Sequence, residues 1–514
     1  MGVRLLEPDS YRPKNKPFMK GNRISVLCLS LMCYLNPIHS QSADEENHSE
    51  PGLIIIDCND EKQTIDGFGV AQADWADDVF LFKNREQVID AMFGTAGLRL
   101  NILRGEIFPH YSTQAYQYNF DMQADTSQTA VTQASTLDKN DLLRRGQLWL
   151  TSHIRQKYPE TLFMFSAWSP PAWMKEGGHA TKDYVASHGR LKPNHYQDFA
   201  NYMSAFYKAF QSIGVNIYAL SPSNEPGYPA PWNSCVWTAD EMGDFIHHYL
   251  LPTFEKEQIP AKVIFGENPA WSTVFDRLEM ISSADFTNKI LSKHTNLNAD
   301  KLIAAGHGYV LPDTLPLPEE LRRTPIIPFA EAEKKHIPVW VTEISDITPL
   351  DTSMEDGLRW ATSFHQYLND AQVDAIIWWA GAMPTTTNES LVVLNKATGD
   401  YILTKRYDTF GNYTRYIPTG SRRIENKVQN LPEGISVTSF KKDKQYMVVV
   451  VNPTNKKIEC RLQSGVKDEQ DTLHCYTTTA GKRWEESGIT ASGQDGYSIQ
   501  VLPKSVTTYV GNIK

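Results

Sequence analysis

The 514-residue chain is long enough for two or three domains, and its 41% hydrophobic and 11% aromatic residues are ordinary for a globular protein with a large core. Its formal net charge of −10 is spread without long like-charge blocks, which argues against nucleic acid as a partner and against attraction to anionic membranes. Twelve Trp and 23 Tyr supply rings of the kind that hold sugars, although most such rings pack in a core.

The N-terminus has the pattern of a secretory leader. Lys20 and Arg23 precede an apolar run from Ile24 to Leu35, and a polar stretch follows. The run is short for a membrane span. We therefore expect a signal region over residues 1–40, with Met19 as a candidate start, and a linker over 41–52. The mature protein would be secreted or periplasmic, without membrane insertion, and we expect a monomer.

Eight short apolar runs alternate with amphipathic stretches between residues 63 and 417. The runs are 67–70, 97–104, 162–168, 217–223, 262–267, 301–309, 338–343 and 374–379. Between them, 139–158, 194–214, 238–254 and 353–370 place apolar residues at helical spacing, and Thr238 with Glu241 matches a capping box. This alternation predicts an α/β fold, a (β/α)8 TIM barrel.

Residues 418–514 have the period-two alternation of an antiparallel β domain. Candidate strands are 435–440, 445–452, 457–462, 472–478, 497–503 and 506–512. An isolated strand at 53–62, before the barrel, is expected to join the same sheet. Cys58, Cys235, Cys460 and Cys475 have no zinc-site spacing. Cys460 and Cys475 either pair across adjacent strands or remain free buried thiols.

Functional residues of such a barrel lie at the carboxyl ends of its strands. Glu225 follows the fourth strand within a loop rich in proline and aromatic residues, and Glu343 ends the seventh. Glu106 and Glu267 also end strands. A lone Glu there can be a salt-bridge partner or a helix cap. Strands four and seven lie on opposing parts of the ring, so we expect Glu225 and Glu343 to approach each other over the barrel mouth. Glycoside hydrolysis needs such a pair: an acid and a second carboxylate at the anomeric carbon.

Other candidates fit roles around this pair. Asn224 is placed to bond a sugar 2-hydroxyl, Tyr309 to bond the nucleophile, and Arg104 to pair with Glu343, with a structural ion pair as its alternative. The remaining candidate substrate contacts are His307, Trp75, Trp168, Trp173, Trp232, Trp378 and Trp379. His307 has a core histidine as its alternative. Neighbours on a strand face opposite ways, so one of Trp378 and Trp379 must pack in the core.

The sequence resembles glycoside hydrolase family 30, a family of retaining barrel glycosidases. The resemblance rests on IDGFGVAQADW, GLRLNILRGEI, FSAWSPPAWMK, LSPSNEP, VWVTEIS, IIWWA and KRYDTFGNYTRYIPTGSRRIE, in this order over most of residues 63–425. It implies Glu225 as acid/base, Glu343 as nucleophile, and a β-sandwich side domain built from C-terminal strands plus one N-terminal strand.

The same resemblance implies a β-linked polysaccharide or oligosaccharide as substrate. GFGVAQADW and AWSPPAWMK are more similar to the endo-β-1,6-galactanase-like and xylanase-like branches than to the glucosylceramidase branch. We therefore expect an endo-β-1,6-galactanase-like activity, with xylanase and β-1,6-glucanase activities as the alternatives. No cofactor or metal is expected, because acid, base and nucleophile all come from the chain. Two rival hypotheses remain: a catalytically silent carbohydrate-binding barrel, and a metal-dependent hydrolase, for which no H-E-x-x-H spacing is present.

Overall fold

The computed structural model of the chain describes residues 51–127, 137–181, 184–273, 281–309, 325–464, 472–490 and 496–513. The predicted leader and nearly all of the linker that follows it lie outside these residues. Within them, no helix is both long and apolar enough to cross a membrane.

Eight parallel strands close a barrel, which confirms the predicted fold class. The chain enters through β1 (Gly52–Thr64), which belongs to a side sheet. The barrel strands are β2 (Gly67–Ala71), β3 (Ile102–Glu106), β4 (Leu162–Ser166), β7 (Ile217–Ser221), β8 (Lys262–Phe265), β9 (Leu302–His307), β10 (Val339–Glu343) and β11 (Ala375–Trp379). Short strands in the loops are β5 (Lys175–Glu176), β6 (Arg190–Leu191), β12 (Ala382–Met383), β13 (Val392–Leu394) and β14 (Tyr401–Leu403). Pairing of β11 with β2 closes the ring.

The helices of the described residues include the four predicted periodic segments, 139–158, 194–214, 238–254 and 353–370, together with others that were not predicted. They are α1 (Ala76–Leu81), α2 (Arg85–Phe93), α3 (Lys139–Lys157), α4 (Tyr196–Ser212), α5 (Ala239–Phe245), α6 (Leu251–Lys256), α7 (Ser283–Lys293), α8 (Ala330–Lys334), α9 (Met354–Asn369) and α10 (Lys405–Thr414). Single 3-10 turns span Pro109–Tyr111, Ala172–Met174, Pro193–His195 and Ala299–Lys301. The capping box of Thr238 and Glu241 is confirmed. A π turn, Ile246–Leu250, separates α5 from α6 next to Pro252, whose missing N–H interrupts the helical ladder.

Alternate residues of the barrel strands fill the barrel interior. The fully buried inner cluster consists of Ala71, Ile102, Met164, Ala219, Ile264, Ile303, Ala305, Trp340, Ala375 and Ile377. Because side chains repeat every two residues along a strand, Arg104 and His307 lie on the same inner face, one step further toward the carboxyl ends. The barrel interior is therefore apolar along most of its length and polar at the carboxyl ends of the strands, which form the mouth.

The side domain is a sheet of nine strands that takes in β1. Its other strands are β15 (Arg422–Gln429), β16 (Ser436–Lys442), β17 (Gln445–Asn452), β18 (Ile458–Gln463), β19 (Thr472–Thr478), β20 (Glu485–Thr490), β21 (Tyr497–Val501) and β22 (Ser505–Asn512). The order is β20-β19-β22-β17-β16-β15-β1-β18-β21. All neighbours are antiparallel except β1 and β18, which are parallel.

Both halves of this sheet share one apolar core. Val448 of β17, Leu473 of β19, Ile54 of β1 and Ile499 of β21 belong to a single buried cluster, so the sheet curls on itself as a sandwich. β15 and β20 were not expected from the sequence because their charged residues hide the alternation.

The cysteines of the side domain do not pair. Cys460 lies on β18 and Cys475 on β19, and these strands are not neighbours in the sheet. All four cysteines of the described residues are free, and Cys58 alone among them is not fully buried. Of the two alternatives left open by the sequence, free thiols are therefore the correct one.

Candidate active site

A bulge at the end of β10 turns Glu343 into the barrel mouth. Trp340 faces the interior and Val341 faces the surrounding helices. Strict alternation would then point residue 343 outward. Between Val341 and Glu343, however, β10 slips by one residue against β9. A bulge of this kind re-aims a side chain, and the Glu343 carboxylate contacts Arg104 on the inner face of β3.

The loop after β7 is attached to its neighbours on both sides. The Asn224 N–H donates to the Ala167 carbonyl after β4 at 2.8 Å, and the Glu225 N–H donates to the Glu267 carbonyl after β8 at 3.0 Å. Glu225 has a φ of 45°. This left-handed conformation costs a non-glycine residue about 1 kcal/mol or more. The surrounding hydrogen bonds therefore hold Glu225 in a backbone conformation that it would rarely adopt in an unfolded chain.

Glu225 and Glu343 meet over the lumen with His307 between them. One oxygen of each carboxylate and one ring nitrogen of His307 lie within 4.8 Å of one another. Nδ1 of His307 is 3.3 Å from both Glu225 Oε1 and Glu343 Oε2. The two glutamates are only 7% and 3% exposed. Two carboxyl groups are thus held close together in a partly dehydrated mouth.

Arg104 organises the oxygens on one side of this cluster. Nη1 donates to Glu343 Oε1 at 2.5 Å, while Nη2 donates to Asn224 Oδ1 at 2.8 Å and to Glu267 Oε1 at 3.1 Å. The guanidinium is fully buried and lies 4.7 Å from the Trp168 ring centroid. Tyr309 donates its hydroxyl to the other oxygen of Glu343 at 2.8 Å. Each Glu343 oxygen therefore has a fixed donor.

Glu267 is a third buried carboxylate of the cluster that was not among the predicted site residues. It accepts hydrogen bonds from Arg104 and, at 3.0 Å, from Ser166. Burial alone would raise its pKa, but Arg104, His307 and Ser221 outweigh burial and lower the pKa to about 2. Its position at the end of a strand was visible in the sequence, whereas its contact with Arg104 across the barrel was not.

The two facing glutamates differ in their surroundings. Burial raises the pKa of Glu225, with the charge of Glu343 acting in the same direction and His307 and Arg104 opposing it. Burial would lower the pKa of His307, but Glu343, Glu225 and Glu267 together raise it to about 9. The cluster therefore sets Arg104 and His307, both cations, beside Glu267, whose pKa is lowered, and beside Glu225, whose raised pKa favours a proton on its carboxyl group.

The donor set of Glu225, His307 and Glu343 has the spacing of a metal site, but its donor atoms already have partners. Nδ1 of His307 lies 3.3 Å from an oxygen of each glutamate. Arg104 already occupies one oxygen of Glu343. The contacts fit a proton-sharing network better than metal coordination.

A second carboxyl pair lies at the same strand ends. Glu106 at the end of β3 is 2% exposed and is hydrogen-bonded to the side chain of Asp74. Burial raises the pKa of Glu106 well above its usual value, and the charge of Asp74 adds to this. Asp74 was not identified from the sequence, although it directly follows the first barrel strand.

The family model described as O-glycosyl hydrolase family 30 matches residues 51–393. The chain belongs to this family.

Relatives and solved structures agree with this assignment. A Caenorhabditis elegans protein named putative glucosylceramidase 3 is 24% identical over 420 residues, which cover 77% of this chain and 74% of the relative. A Neurospora crassa endo-1,6-beta-D-glucanase is 26% identical over 239 residues, 45% of this chain and 48% of the relative. The catalytic domain of GH30 xylanase C from Talaromyces cellulolyticus has the same fold, with a TM-score of 0.69 at 22% identity, covering 89% of this chain and 99% of that one. The chain is therefore a glycoside hydrolase acting on β-glycosides.

Three tryptophans of this family 30 hydrolase border the cluster. Trp168 stacks over Arg104, and its ring centroid is 6.0 Å from that of Trp379, which packs edge-on against Trp75 at 4.9 Å. Trp379 and Trp75 are partly exposed. These rings form an aromatic wall at the barrel mouth, and their part in substrate binding stays a prediction.

Trp378 is a correction to the predicted contacts. It is fully buried, donates its Nε1 to the Glu389 carbonyl, and packs against Trp360 of α9, on the outer side of the barrel. It therefore cannot touch a substrate in the mouth.

Trp173 and Trp232 lie on the surrounding loops. Trp173 donates to the Ser112 hydroxyl at 3.1 Å, and Trp232 packs against Tyr228 at 6.0 Å. Both rings contact loop residues, so their part in substrate binding stays a prediction.

Proposed function

We propose that this enzyme is a retaining β-glycosidase in which Glu343 is the nucleophile and Glu225 the acid/base. The observation that carries the proposal is that one oxygen of Glu225 and one oxygen of Glu343 lie within 4.8 Å of each other, in unequal surroundings. Retaining enzymes place their carboxyl groups about 5–5.5 Å apart, whereas inverting enzymes need about 6.5–9.5 Å to admit a water molecule. The short separation favours double displacement.

In the first step an oxygen of Glu343 attacks the anomeric carbon, and Glu225 gives its proton to the departing glycosidic oxygen. Arg104 and Tyr309 hold both oxygens of Glu343 in place, so the attacking atom is pre-oriented. Asn224 accepts from Arg104 through Oδ1, which leaves its amide N–H groups to donate to the substrate, for which the sugar 2-hydroxyl is the expected acceptor.

In the second step Glu225 must become a base. The charge of Glu343 is one of the factors that raise the pKa of Glu225. Once Glu343 is bound to the sugar as an ester, it carries no charge, and the pKa of Glu225 falls. Glu225 then removes a proton from a water molecule, which attacks the anomeric carbon and releases Glu343.

We further propose a β-1,6-linked hexose polymer as the substrate and secretion as the route to it. The sequence motifs favour β-1,6-galactan, and the relative named endo-1,6-beta-D-glucanase supports the 1,6 linkage with glucan as the sugar. Arg104 is committed to three partners of the enzyme itself, so it is not free to bind the carboxylate of a glucuronate substituent.

The test is reducing-sugar release from β-1,6-galactan, β-1,6-glucan and glucuronoxylan by wild type, Glu343→Gln and Glu225→Gln. We expect release from one of the 1,6-linked polymers and a loss of at least about a thousand-fold in Glu343→Gln. Glu486→Gln, at an exposed glutamate of the side sheet, is the matched control. Proton NMR of the first product gives the anomer. An inverted anomer, or full activity of Glu343→Gln, would contradict the mechanism, and release from glucuronoxylan alone would contradict the substrate.

A further inference from the structure

The loop after β3 forms a second groove on the barrel face that carries the site. The groove has a volume of about 780 Å³ and is lined by residues 109–113 and 116–119, by the start of α3, and by Ala172 and Val185. This volume is in the range of pockets that hold organic ligands. None of the groove residues belongs to the cluster of Glu225, Glu267, Glu343, His307 and Arg104.

The groove wall presents tyrosine rings and side-chain amides. Tyr116 and Tyr118 contribute rings, while Gln117 and Asn119 contribute amides. Tyr116 is 68% exposed, although the rings of most tyrosines in a folded protein are largely buried. Sugars have apolar C–H faces and a rim of hydroxyls, so rings beside amides are the matching surface.

The Tyr116 ring is fixed although it is exposed. The Asp198 side chain lies close enough to raise the pKa of the Tyr116 hydroxyl, and the Tyr116 ring centroid lies 5.9 Å from that of Trp173. Asp198 is itself held by His195 at 2.7 Å. A ring that is held in place before a ligand arrives loses little conformational entropy on binding.

The groove wall is close to electrically neutral. His110 lines the groove, and burial lowers its pKa to about 3, with Arg144 adding to this, so its ring is uncharged. The Arg144 guanidinium is paired with Asp141, and the Asp138 carboxylate also lines the groove. The wall therefore offers no uncompensated positive charge to an anionic sugar.

The groove is within reach of a polymer held at the carboxylates. Trp168 lies beside Arg104, and five residues further along the chain Trp173 packs against Tyr116. Five extended residues span at most about 18 Å. One glycan of several sugars can therefore contact both places.

From these contacts we infer that the groove of His110, Tyr116, Tyr118 and Asn119 is a remote binding site for an uncharged stretch of the glycan whose cleavage is proposed above. This inference rests on the proposed function for the identity of the polymer, but it concerns binding and not turnover.

The test is affinity electrophoresis of full-length Glu343→Gln, with and without Tyr116→Ala, in gels that contain β-1,6-glucan, β-1,6-galactan or glucuronoxylan. We expect Tyr116→Ala to raise the dissociation constant for one uncharged polymer about ten-fold. Tyr116→Phe, which keeps the ring, is expected to restore binding. Tyr476→Ala, at a partly exposed tyrosine of the side sheet, is the matched control.

Retardation that is equal for Tyr116→Ala and its parent in every gel would overturn the inference, as would retardation by glucuronoxylan alone. A loss in Tyr116→Phe equal to that in Tyr116→Ala would also overturn it, because the ring would then not be the contact. In enzymes with an intact Glu343, the ratio of kcat/KM for polymer to that for an aryl β-glycoside should fall in Tyr116→Ala. Absence of any hydrolysis by wild type would count against the proposed function, whereas the gels would still test the groove.

Discussion

Arg104 and Glu343 form an ion pair across the barrel lumen, 2.5 Å between Nη1 and Oε1, with side chains that are 0% and 5% exposed. The same guanidinium holds Glu267 and Asn224. One buried cation thus fixes residues from three other strand ends. Its loss should affect both stability and chemistry.

Arg104→Leu is expected to lower the free energy of unfolding by about 3–5 kcal/mol, because it leaves the carboxylates of Glu343 and Glu267 buried without their cation. Urea denaturation of wild type and variant measures this. Arg422→Leu removes an arginine that is 40% exposed and paired with Glu61, and it should cost no more than about 1 kcal/mol. If the two variants lose the same unfolding free energy, the buried network around Arg104 contributes no more to stability than an exposed ion pair does.

The alkaline limb of the pH profile should respond to His307. Activity needs protonated Glu225, so it is lost as the pH rises through the raised pKa of that group. His307 lowers this pKa, and its removal should therefore move the limb of kcat/KM to higher pH. The comparison is His307→Asn with wild type, and His474→Asn, at an exposed site, serves as control. A limb that stays in place or moves to lower pH would contradict the assignment of Glu225 as the acid.

Glu267 should stabilise the fold in a pH-dependent way. Its folded pKa of about 2 is below the ordinary value of 4.5, so its contribution is complete above about pH 4.5 and is lost as the pH falls toward 2. The difference in unfolding free energy between wild type and Glu267→Gln should narrow by about 2 kcal/mol from pH 6 to pH 3. Denaturant titrations at both pH values measure it. A difference that does not change with pH would mean that Glu267 is not ionised in the fold.

The packing of the side sheet on the barrel can be tested at Gly411 of α10. A Cβ there would lie 2.2 Å from the indole of Trp484, which also donates to the Asp408 carbonyl. Gly411→Ala should therefore cost about 1–3 kcal/mol of unfolding free energy. At Gly481 a Cβ would meet nothing within 4 Å, so Gly481→Ala is the matched control. Thermal unfolding of both variants measures the difference. If Gly411→Ala is as stable as Gly481→Ala, the Trp484 side chain can move aside without cost and the contact between the side sheet and the barrel is not tightly packed.

Much of the fold could be predicted from local sequence. Apolar runs and helical periodicity determine elements that bury one face or both, which is why all eight barrel strands and the long helices were found. β15, with the exposed Lys427, Gln429 and neighbouring residues, lacks that signal. The pairing of Cys460 with Cys475 could not be decided either, since it depends on strand order.

The site could be predicted in part. Strand ends located Glu225 and Glu343, but the roles of Glu267 and Asp74 depend on contacts between strands that are distant in sequence. Which of Trp378 and Trp379 faces the mouth depends on the phase of β11, and both residues satisfy the same pattern. The bulge in β10 that turns Glu343 inward is likewise set by the pairing with β9, and no local sequence pattern indicates it.

The order of strands in the side sheet has a consequence for synthesis on the ribosome. Leu53 of β1 pairs with Gln429 of β15, so nearly the whole barrel is made between the two halves of that ladder. β22, the last strand that the structure describes, lies between β17 and β19, well inside the sheet. We therefore expect the nascent barrel to emerge and fold before β1 can pair with β15, and the sheet to be completed only after β22 has left the exit tunnel.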